Sequence, residues 1–289
     1  PPPGRPARPP PRPGALVMQE RVYGVDFSGG KQAGKKIWIA QAVPYRRGIV
    51  VEACAPATEF LGCAADRDVV LPALRQFIAG AENAAFGCDF PFSLPRELIA
   101  AESWAEFVAE FPARFGTESE FRERCLATAV ETSGRKELRR RTDVEARAPF
   151  CAYNLRIFRQ TYYGITELLR PLVAGNLVNV PPLHYSEDDA PWVMEVCPAS
   201  TLKASGLYGS YKDDRGSIDA RENILLALKD SGRVTFSDGD VRQRVIADAQ
   251  GDALDSVIAA DATFRAIADP ERIVQAHRFP YYLEAYIFV

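Results

Sequence analysis

The first strand-like segment of the chain is an apolar run with an aspartate near its end. The run is Val22–Phe27, with Asp26 as its only charged residue. Two further strand-like runs, Lys36–Val43 and Ile49–Cys54, follow after short glycine-containing connections. Connections this short join antiparallel neighbours, so the sequence predicts a β-meander. An aspartate that closes a buried strand is unstable unless another group pairs with it, so a charged site is also expected here.

The rest of the chain adds two strands and several helices. Strand character returns at Ala84–Asp89, at Trp192–Cys197 and, after the last helix, at Tyr282–Val289. Helical periodicity covers 68–79, 217–229 and 240–268, and most of a segment from about 96 to 191. We therefore predict an α/β fold with a five-stranded mixed sheet, helices on both faces, and a helical insertion between strands 4 and 5. The first strand should lie centrally, beside the fourth.

Residues 1–17 are dominated by proline, with two glycines and three arginines, and cannot bury a core. We expect a disordered tail, followed by one domain over 18–289 with its insertion at about 96–191. Met18 directly precedes the first strand and is the expected biological start. The alternative for the tail is a proline-rich ligand for a partner domain.

Composition narrows the class of function. The net charge is −3, so no overall basic field indicates nucleic acid, and any such partner must be held by a local patch or a metal. No membrane-length apolar run and no secretory signal is visible, which predicts a cytoplasmic protein without membrane association. The six cysteines are scattered as in a reduced protein, and two distant histidines give little support for a zinc site.

Acidic residues carry most of the functional information. Asp248, Asp252 and Asp255 lie on one stripe of the predicted 240–268 helix, among residues that are otherwise mostly apolar. Such acids either mark a solvated side of the helix or face a cation. Asp26 and Asp89 each end an apolar strand and either cap a turn or line a site beyond the sheet.

Glu195 lies inside the fifth strand, where it either points to solvent from an edge or needs a buried partner. Together the acids form an oxygen-only ligand set, which selects Mg²⁺ or Mn²⁺. Two such ions stabilise the attacking and leaving oxygens of phosphodiester hydrolysis.

These motifs resemble the RNase H superfamily, including Holliday-junction resolvases. More closely, they resemble the predicted RNase H-fold nucleases catalogued as domain of unknown function 429. The segments that carry this resemblance are Gly24–Gly30, Asp89–Pro95, Glu195–Ala199 and Asp252–Ala260, with weaker support from Tyr211-Lys212 and Glu284–Ile287. The resemblance spans about Arg21 to the end and implies an RNase H-like fold.

It also implies a metal-dependent nuclease with a two-metal carboxylate mechanism. In that mechanism Asp26 bridges both ions, Asp252 and Asp255 hold one, and Asp89 or Glu195 holds the other. Water is then the nucleophile, and DNA or RNA is the expected partner.

Basic and polar residues are candidates for substrate binding. The insertion is locally basic around Arg135–Arg141, which predicts phosphate contacts, although a solvated helix face explains the same pattern. The candidate substrate-binding residues are Ser28, Lys31, Arg139, Arg140, Arg147 and Lys212. Trp104, Tyr162 and Tyr163 either stack on bases or belong to the core.

Two other functions stay open. Asp26–Lys31 also resembles the first phosphate loop of actin-like ATPases and sugar kinases, which favours an ATP-dependent phosphotransferase, although no second phosphate loop is recognisable. A non-catalytic nucleic-acid-binding module that keeps the fold is the third hypothesis.

Overall fold

The computed structural model describes residues 19–186, 189–212 and 217–289, so the predicted tail lies outside the described residues. A six-stranded sheet forms the centre of the molecule, with the order β5-β4-β1-β2-β3-β6. The strands are β1 (Arg21–Asp26), β2 (Trp38–Tyr45), β3 (Gly48–Pro56), β4 (Ala84–Cys88), β5 (Trp192–Glu195) and β6 (Val234–Phe236).

The sheet is mixed. β2 runs antiparallel to both β1 and β3, which confirms the predicted meander. β4 pairs parallel with β1, and β5 pairs parallel with β4. The predicted fold class is therefore confirmed, with the first strand central and beside the fourth. The predicted number of strands is wrong, because β6 adds a sixth strand parallel to β3.

Helices cover both faces of the sheet. Those outside the insertion are α1 (Ala57–Phe60), α2 (Arg67–Ala79), α8 (Pro198–Ala204), α9 (Ser217–Asp230), α10 (Gly239–Ala247), α11 (Asp252–Ile267), α12 (Pro270–Ala276) and α13 (Tyr281–Glu284). Those inside it are α3 (Trp104–Phe115), α4 (Glu118–Ser133), α5 (Arg141–Glu145), α6 (Phe158–Tyr163) and α7 (Arg170–Ala174), with a π-helical turn at Gly164–Leu169. Short 3₁₀ turns lie at Ala33–Lys35 and Arg96–Leu98.

Local sequence explains where a representative helix begins and ends. The Thr117 side chain accepts a hydrogen bond from the Glu120 backbone, and the Glu120 carboxylate accepts one from the Thr117 backbone, which forms a capping box at the start of α4. α4 ends at Gly134, whose backbone is left-handed. The insertion is thus helical because its sequence carries its own start and stop signals.

Successive side chains of β1 pack on opposite faces of the sheet. Tyr23 and Val25 pack with α2 and the insertion in one apolar cluster. Val22 packs on the opposite face, with α9, α10 and α11. Because side chains alternate along a strand, Gly24 and Asp26 share the face of Val22. Asp26 therefore points toward the side of the sheet that α11 covers.

Two sequence expectations fail near the end of the chain. The predicted 240–268 helix is two helices, because Gly251 has a φ of 75° and the Asp248 carboxylate accepts hydrogen bonds from the Gln250 and Ala253 backbones. The predicted strand Tyr282–Val289 is replaced by α13 and a single bridge between Val196 and Phe288. No helix in the described part of the chain is both long and apolar enough to cross a membrane.

Candidate active site

Two aspartates lie at the carboxyl ends of adjacent parallel strands. Asp26 is the last residue of β1, and Asp89 directly follows β4. The Asp89 backbone N–H donates to the Val25 carbonyl at 3.0 Å, which continues the β1–β4 ladder by one step. Sites in open α/β sheets form beyond such strand ends. The pairing of the two strands thus fixes both acids at one edge of the sheet.

Close packing of α11 brings further acids to this edge. A Cβ atom added at Gly24 would lie 1.9 Å from the Ser256 carbonyl oxygen of α11. One added at Gly87 would lie 1.9 Å from the Thr263 hydroxyl of the same helix. Both glycines precede a site aspartate by two residues, so glycine and aspartate share a face in each strand. The repeated Gly-x-Asp pattern therefore marks where α11 presses against the sheet and which way the acids point.

Asp252 and Asp255 reach the cleft from the first turn of α11. The positive end of the helix dipole favours carboxylates in this position. Asp248 does not join them, because it lies before the break at Gly251 and its carboxylate caps the start of α11. The predicted single stripe of three acids is wrong for this reason. We call Asp26, Asp89, Asp252 and Asp255 the aspartate cluster.

Tyr211 and Lys212 hold Asp255, the more buried of the two α11 acids in the aspartate cluster. The Tyr211 hydroxyl donates to Oδ1 of Asp255 at 2.7 Å, and Lys212 Nζ lies 2.6 Å from Oδ2 of the same carboxylate. Lys212 Nζ is also 3.7 Å from Oδ1 of Asp252. Both oxygens of Asp255 therefore have partners, and one of these partners is a cation.

The aspartate cluster is electrostatically strained. Burial, followed by the charges of Asp255, Asp252 and Asp89, raises the pKa of Asp26 well above its ordinary value. Burial and the Asp255 charge raise the pKa of Asp89 to about 8. The pKa values of Asp252 and Asp255 are also raised, mainly by burial. Such a set of acids favours a proton or a cation between its members.

The Lys212 ammonium lowers the pKa of each acid in the cluster. Burial lowers the pKa of Lys212 itself, but the charges of Asp255 and Asp26 outweigh that effect and raise it. Lys212 was predicted to bind substrate. In the structure its ammonium is instead engaged by the carboxylates of α11.

Glu195 lines the same cleft, but its carboxylate is bound from the side of the insertion. Its neighbour Val193 belongs to the apolar cluster on the insertion side, and Met194 packs on the α11 side. By alternation, Glu195 faces the insertion. There its Oε2 accepts from the Phe92 backbone at 2.9 Å and from Arg140 at 2.8 Å. The structure therefore gives Glu195 a buried ion pair rather than a place among the aspartates.

Arg140 and Asp143 complete this buried network. Arg140 is 0% exposed and forms hydrogen bonds with Asp143 and Glu195. Its guanidinium also donates to the Glu284 carbonyl at 3.1 Å. The expected contact between Arg140 and a phosphate does not fit a side chain without exposed surface. Arg140 instead ties the insertion to the end of β5, close behind the candidate site.

A cleft of about 750 Å³ opens over the aspartate cluster. Among its lining residues are the basic side chains of Lys36, Arg156 and Arg159, and the partly or well exposed Phe150, Leu155 and Tyr208. Leu155 is 66% exposed and Tyr208 is 52% exposed. The floor of the cleft is thus acidic, and its rim carries positive and apolar side chains.

The other predicted substrate contacts differ in position. Ser28 lines the cleft and accepts a hydrogen bond from the Gly30 backbone. Lys31, Arg139 and Arg147 are exposed but do not line it. The Arg139 guanidinium donates to the carbonyls of Ala148 and Pro149 at 2.6 and 2.9 Å. A direct role in substrate binding stays a prediction for these residues.

Trp104 and Tyr162 belong to the core. Trp104 is 1% exposed and donates to the Phe92 carbonyl, and Tyr162 is 7% exposed among the phenylalanines of the insertion. Tyr163 lies under the Arg67 guanidinium at 3.6 Å. The exposed aromatic of the cleft is Tyr208, which the sequence reasoning missed. Its place between two glycines, Gly206 and Gly209, is a signal for an exposed loop.

The donor chemistry of the aspartate cluster fits a hard divalent cation, since all four side chains offer carboxylate oxygens. The distances between these side chains, however, do not form a complete ion site. In residues 19–186, 189–212 and 217–289, no three His, Cys, Asp or Glu side chains are arranged closely enough to hold a metal ion. The Lys212 ammonium, rather than a shared ion site, connects the two acids of α11.

No model of a known family and no curated protein sequence matches the chain. Among solved structures, the chain is similar to the yeast mitochondrial Holliday junction resolvase Ydc2, with a TM-score of 0.36 and 13% sequence identity. That similarity covers 91% of this chain and 84% of the resolvase chain. The narrower resemblance to domain of unknown function 429 stays a prediction.

Proposed function

We propose that this chain is a nuclease that hydrolyses phosphodiester bonds in nucleic acid with the help of Mg²⁺ or Mn²⁺. One observation carries the proposal. β1, β4 and α11, which are distant in sequence, bring four aspartates to one edge of the sheet, where burial and mutual repulsion raise their pKa values. Such repulsion destabilises the folded chain without a cation, so the arrangement favours a function in cation binding.

Asp26 together with Asp89 or Asp255 would hold a divalent ion whose remaining ligands would be water, with Asp252 at the more exposed side of the same edge. A divalent cation bound there would stabilise the negative charge that develops on the phosphate during hydrolysis. Tyr211 orients Asp255 through its hydroxyl. We do not assign Glu195 to the ion, because Arg140 and the Phe92 backbone already occupy its carboxylate.

The rim of the cleft would bind the substrate. Arg156 and Arg159 project from the insertion, and Lys36 follows the 3₁₀ turn before β2. These cations would contact phosphates and offset the repulsion between a polyanion and the aspartate cluster. Tyr208 would stack on a base, since its ring is half exposed beside this path.

The sequence resemblance supports the same function, because the segments that carry it include Asp26, Asp89, Asp252 and Asp255. All six cysteines are free thiols, which supports the expected cytoplasmic location. The phosphotransferase hypothesis has less support, since Lys31 of the proposed phosphate loop does not line the cleft.

The test is cleavage of labelled single-stranded, double-stranded and four-way-junction DNA and the matching RNAs. Each substrate is incubated with EDTA, Mg²⁺ or Mn²⁺, beside an ATPase assay. We expect cleavage of at least one substrate with a divalent ion, none in EDTA, and none by Asp26→Asn in any condition.

The matched control is Asp230→Asn, which changes an exposed aspartate at the end of α9, outside the cleft. It should cleave like the wild type. Mg²⁺-dependent ATP hydrolysis without cleavage would favour the phosphotransferase instead. Nucleic-acid binding that survives Asp26→Asn, with no cleavage by the wild type, would favour a binding module.

A further inference from the structure

Lys212 is the only side chain within ion-pair distance of the aspartate cluster among the described residues. Its ammonium lies 2.6 Å from Asp255 Oδ2 and 3.7 Å from Asp252 Oδ1. It therefore lies where an ion held by these two carboxylates would have to bind. Tyr211 takes the other oxygen of Asp255. A divalent cation that bridges Asp252 and Asp255 would take the position of the Lys212 ammonium, whereas the Tyr211 hydrogen bond leaves Oδ1 of Asp255 a second lone pair.

The two partners differ in how easily they move. Tyr211 is buried, and its backbone carbonyl accepts a hydrogen bond from the buried Arg221. The Lys212 side chain is 42% exposed, and a lysine head group lies at the end of a flexible stem. Displacement of Lys212 into the open cleft therefore requires less rearrangement than displacement of Tyr211.

We propose that the Lys212 ammonium is a built-in substitute cation that competes with the divalent ion for Asp252 and Asp255. In the metal-free chain it offsets part of the repulsion in the aspartate cluster. Binding of the ion to these two acids displaces it.

This inference rests on the proposed metal site, and it predicts a change in Mn²⁺ affinity that a cleavage assay does not measure. Two opposite unit charges in contact at the edge of a protein attract each other strongly enough to change a binding constant by an order of magnitude or more. Replacing Lys212 by methionine keeps the stem and removes the competing charge. Lys212→Met should therefore bind Mn²⁺ at least about tenfold more tightly than the wild type, or bind one ion more.

The measurement is titration of Mn²⁺ by isothermal calorimetry, with free Mn²⁺ followed by electron paramagnetic resonance. Lys229→Met is the matched control, because Lys229 is an exposed lysine at the end of α9 and does not line the cleft. It should leave Mn²⁺ affinity nearly unchanged. Lys212→Arg keeps the competing charge and should bind Mn²⁺ as weakly as the wild type.

Thermal unfolding gives a second readout. In EDTA, Lys212→Met should melt below the wild type, because the aspartates lose their counter-charge. In saturating Mn²⁺ its melting temperature should rise by more than that of the wild type. If Lys212→Met does not fold, Lys212→Gln is tested against Lys212→Arg in the same titration.

Equal Mn²⁺ affinity and stoichiometry in the wild type and Lys212→Met would overturn the inference, as would an equal gain in Lys229→Met. Failure of all variants to bind Mn²⁺ would also overturn it. Stronger Mn²⁺ binding by Lys212→Met, without cleavage of any substrate, would support the inference while contradicting the proposed nuclease.

Discussion

Replacing Asp89 with asparagine changes how the stability of the metal-free protein depends on pH. Burial, with the charge of Asp255, raises the pKa of Asp89 to about 8 from an ordinary value of 3.8. Between these two pH values the folded chain keeps a proton that the unfolded chain releases. Stability therefore falls as the pH rises through this window. Below it both states are protonated, and above it both are ionised.

The size of the effect follows from the linkage relation. Each pH unit inside the window changes the free energy of unfolding by about 1.4 kcal/mol for one such group. Between about pH 5 and pH 8, the wild type should lose up to about 4 kcal/mol through Asp89. Asp89→Asn cannot lose a proton and keeps this stability. Its advantage over the wild type should thus be small in acid and grow toward neutral pH.

The assay is urea unfolding of the wild type and Asp89→Asn in EDTA at several pH values across this window. Asp230→Asn is the control, because Asp230 is exposed at the end of α9 and does not line the cleft. Adding Mg²⁺ should remove the advantage of Asp89→Asn, since a carboxylate binds a metal only after it loses its proton. A stability difference between Asp89→Asn and the wild type that stays constant with pH would refute the reasoning.

Three further predictions concern packing, the buried network and the rim of the cleft. Gly24→Ala should lower the free energy of unfolding by about 3 kcal/mol, because its methyl group would clash with the α11 backbone. The measurement is denaturant unfolding, and an unchanged free energy of unfolding would contradict the close contact between β1 and α11. Glu195→Gln should destabilise the protein by about 3 kcal/mol by breaking a buried ion pair with Arg140, yet leave Mn²⁺ affinity unchanged; a large loss of Mn²⁺ binding by a folded variant would make Glu195 a ligand after all. The double variant Arg156→Ala, Arg159→Ala should bind nucleic acid more weakly than the wild type. The slope of log affinity against log salt concentration should fall by about one unit for each lost phosphate contact. An unchanged slope would show that these arginines do not contact the phosphates.

The sheet was largely predictable because local patterns encode it. Only Arg46 and Arg47 separate β2 from β3, and so short a connection predicts antiparallel pairing. The helical insertion carries its own caps. The three residues of β6 are too few to show a strand period, so this strand was missed. The break before α11 was missed because Asp248–Gly251 reads as helix until Asp248 is seen to bond the following backbone.

The site was predictable only in part, because side-chain direction depends on register. Asp26 and Asp89 end adjacent parallel strands and point to one face. Glu195 pairs with Cys88, one residue before Asp89, so its side chain lies on the other face. The sequence alone does not show this register. The burial of Arg140 depends on a partner 55 residues away and was equally hidden.

The ion itself gives the most direct test of the aspartate cluster. Crystals grown or soaked with Mn²⁺ should be measured at the manganese absorption edge, where anomalous density identifies the ion without reference to activity. We predict an anomalous peak ligated by Asp26 together with Asp89 or Asp255, and a Lys212 side chain that has left Asp255 wherever that acid binds the ion. The absence of any peak at the cluster in crystals containing Mn²⁺, with Lys212 still bound to Asp255, would contradict the account.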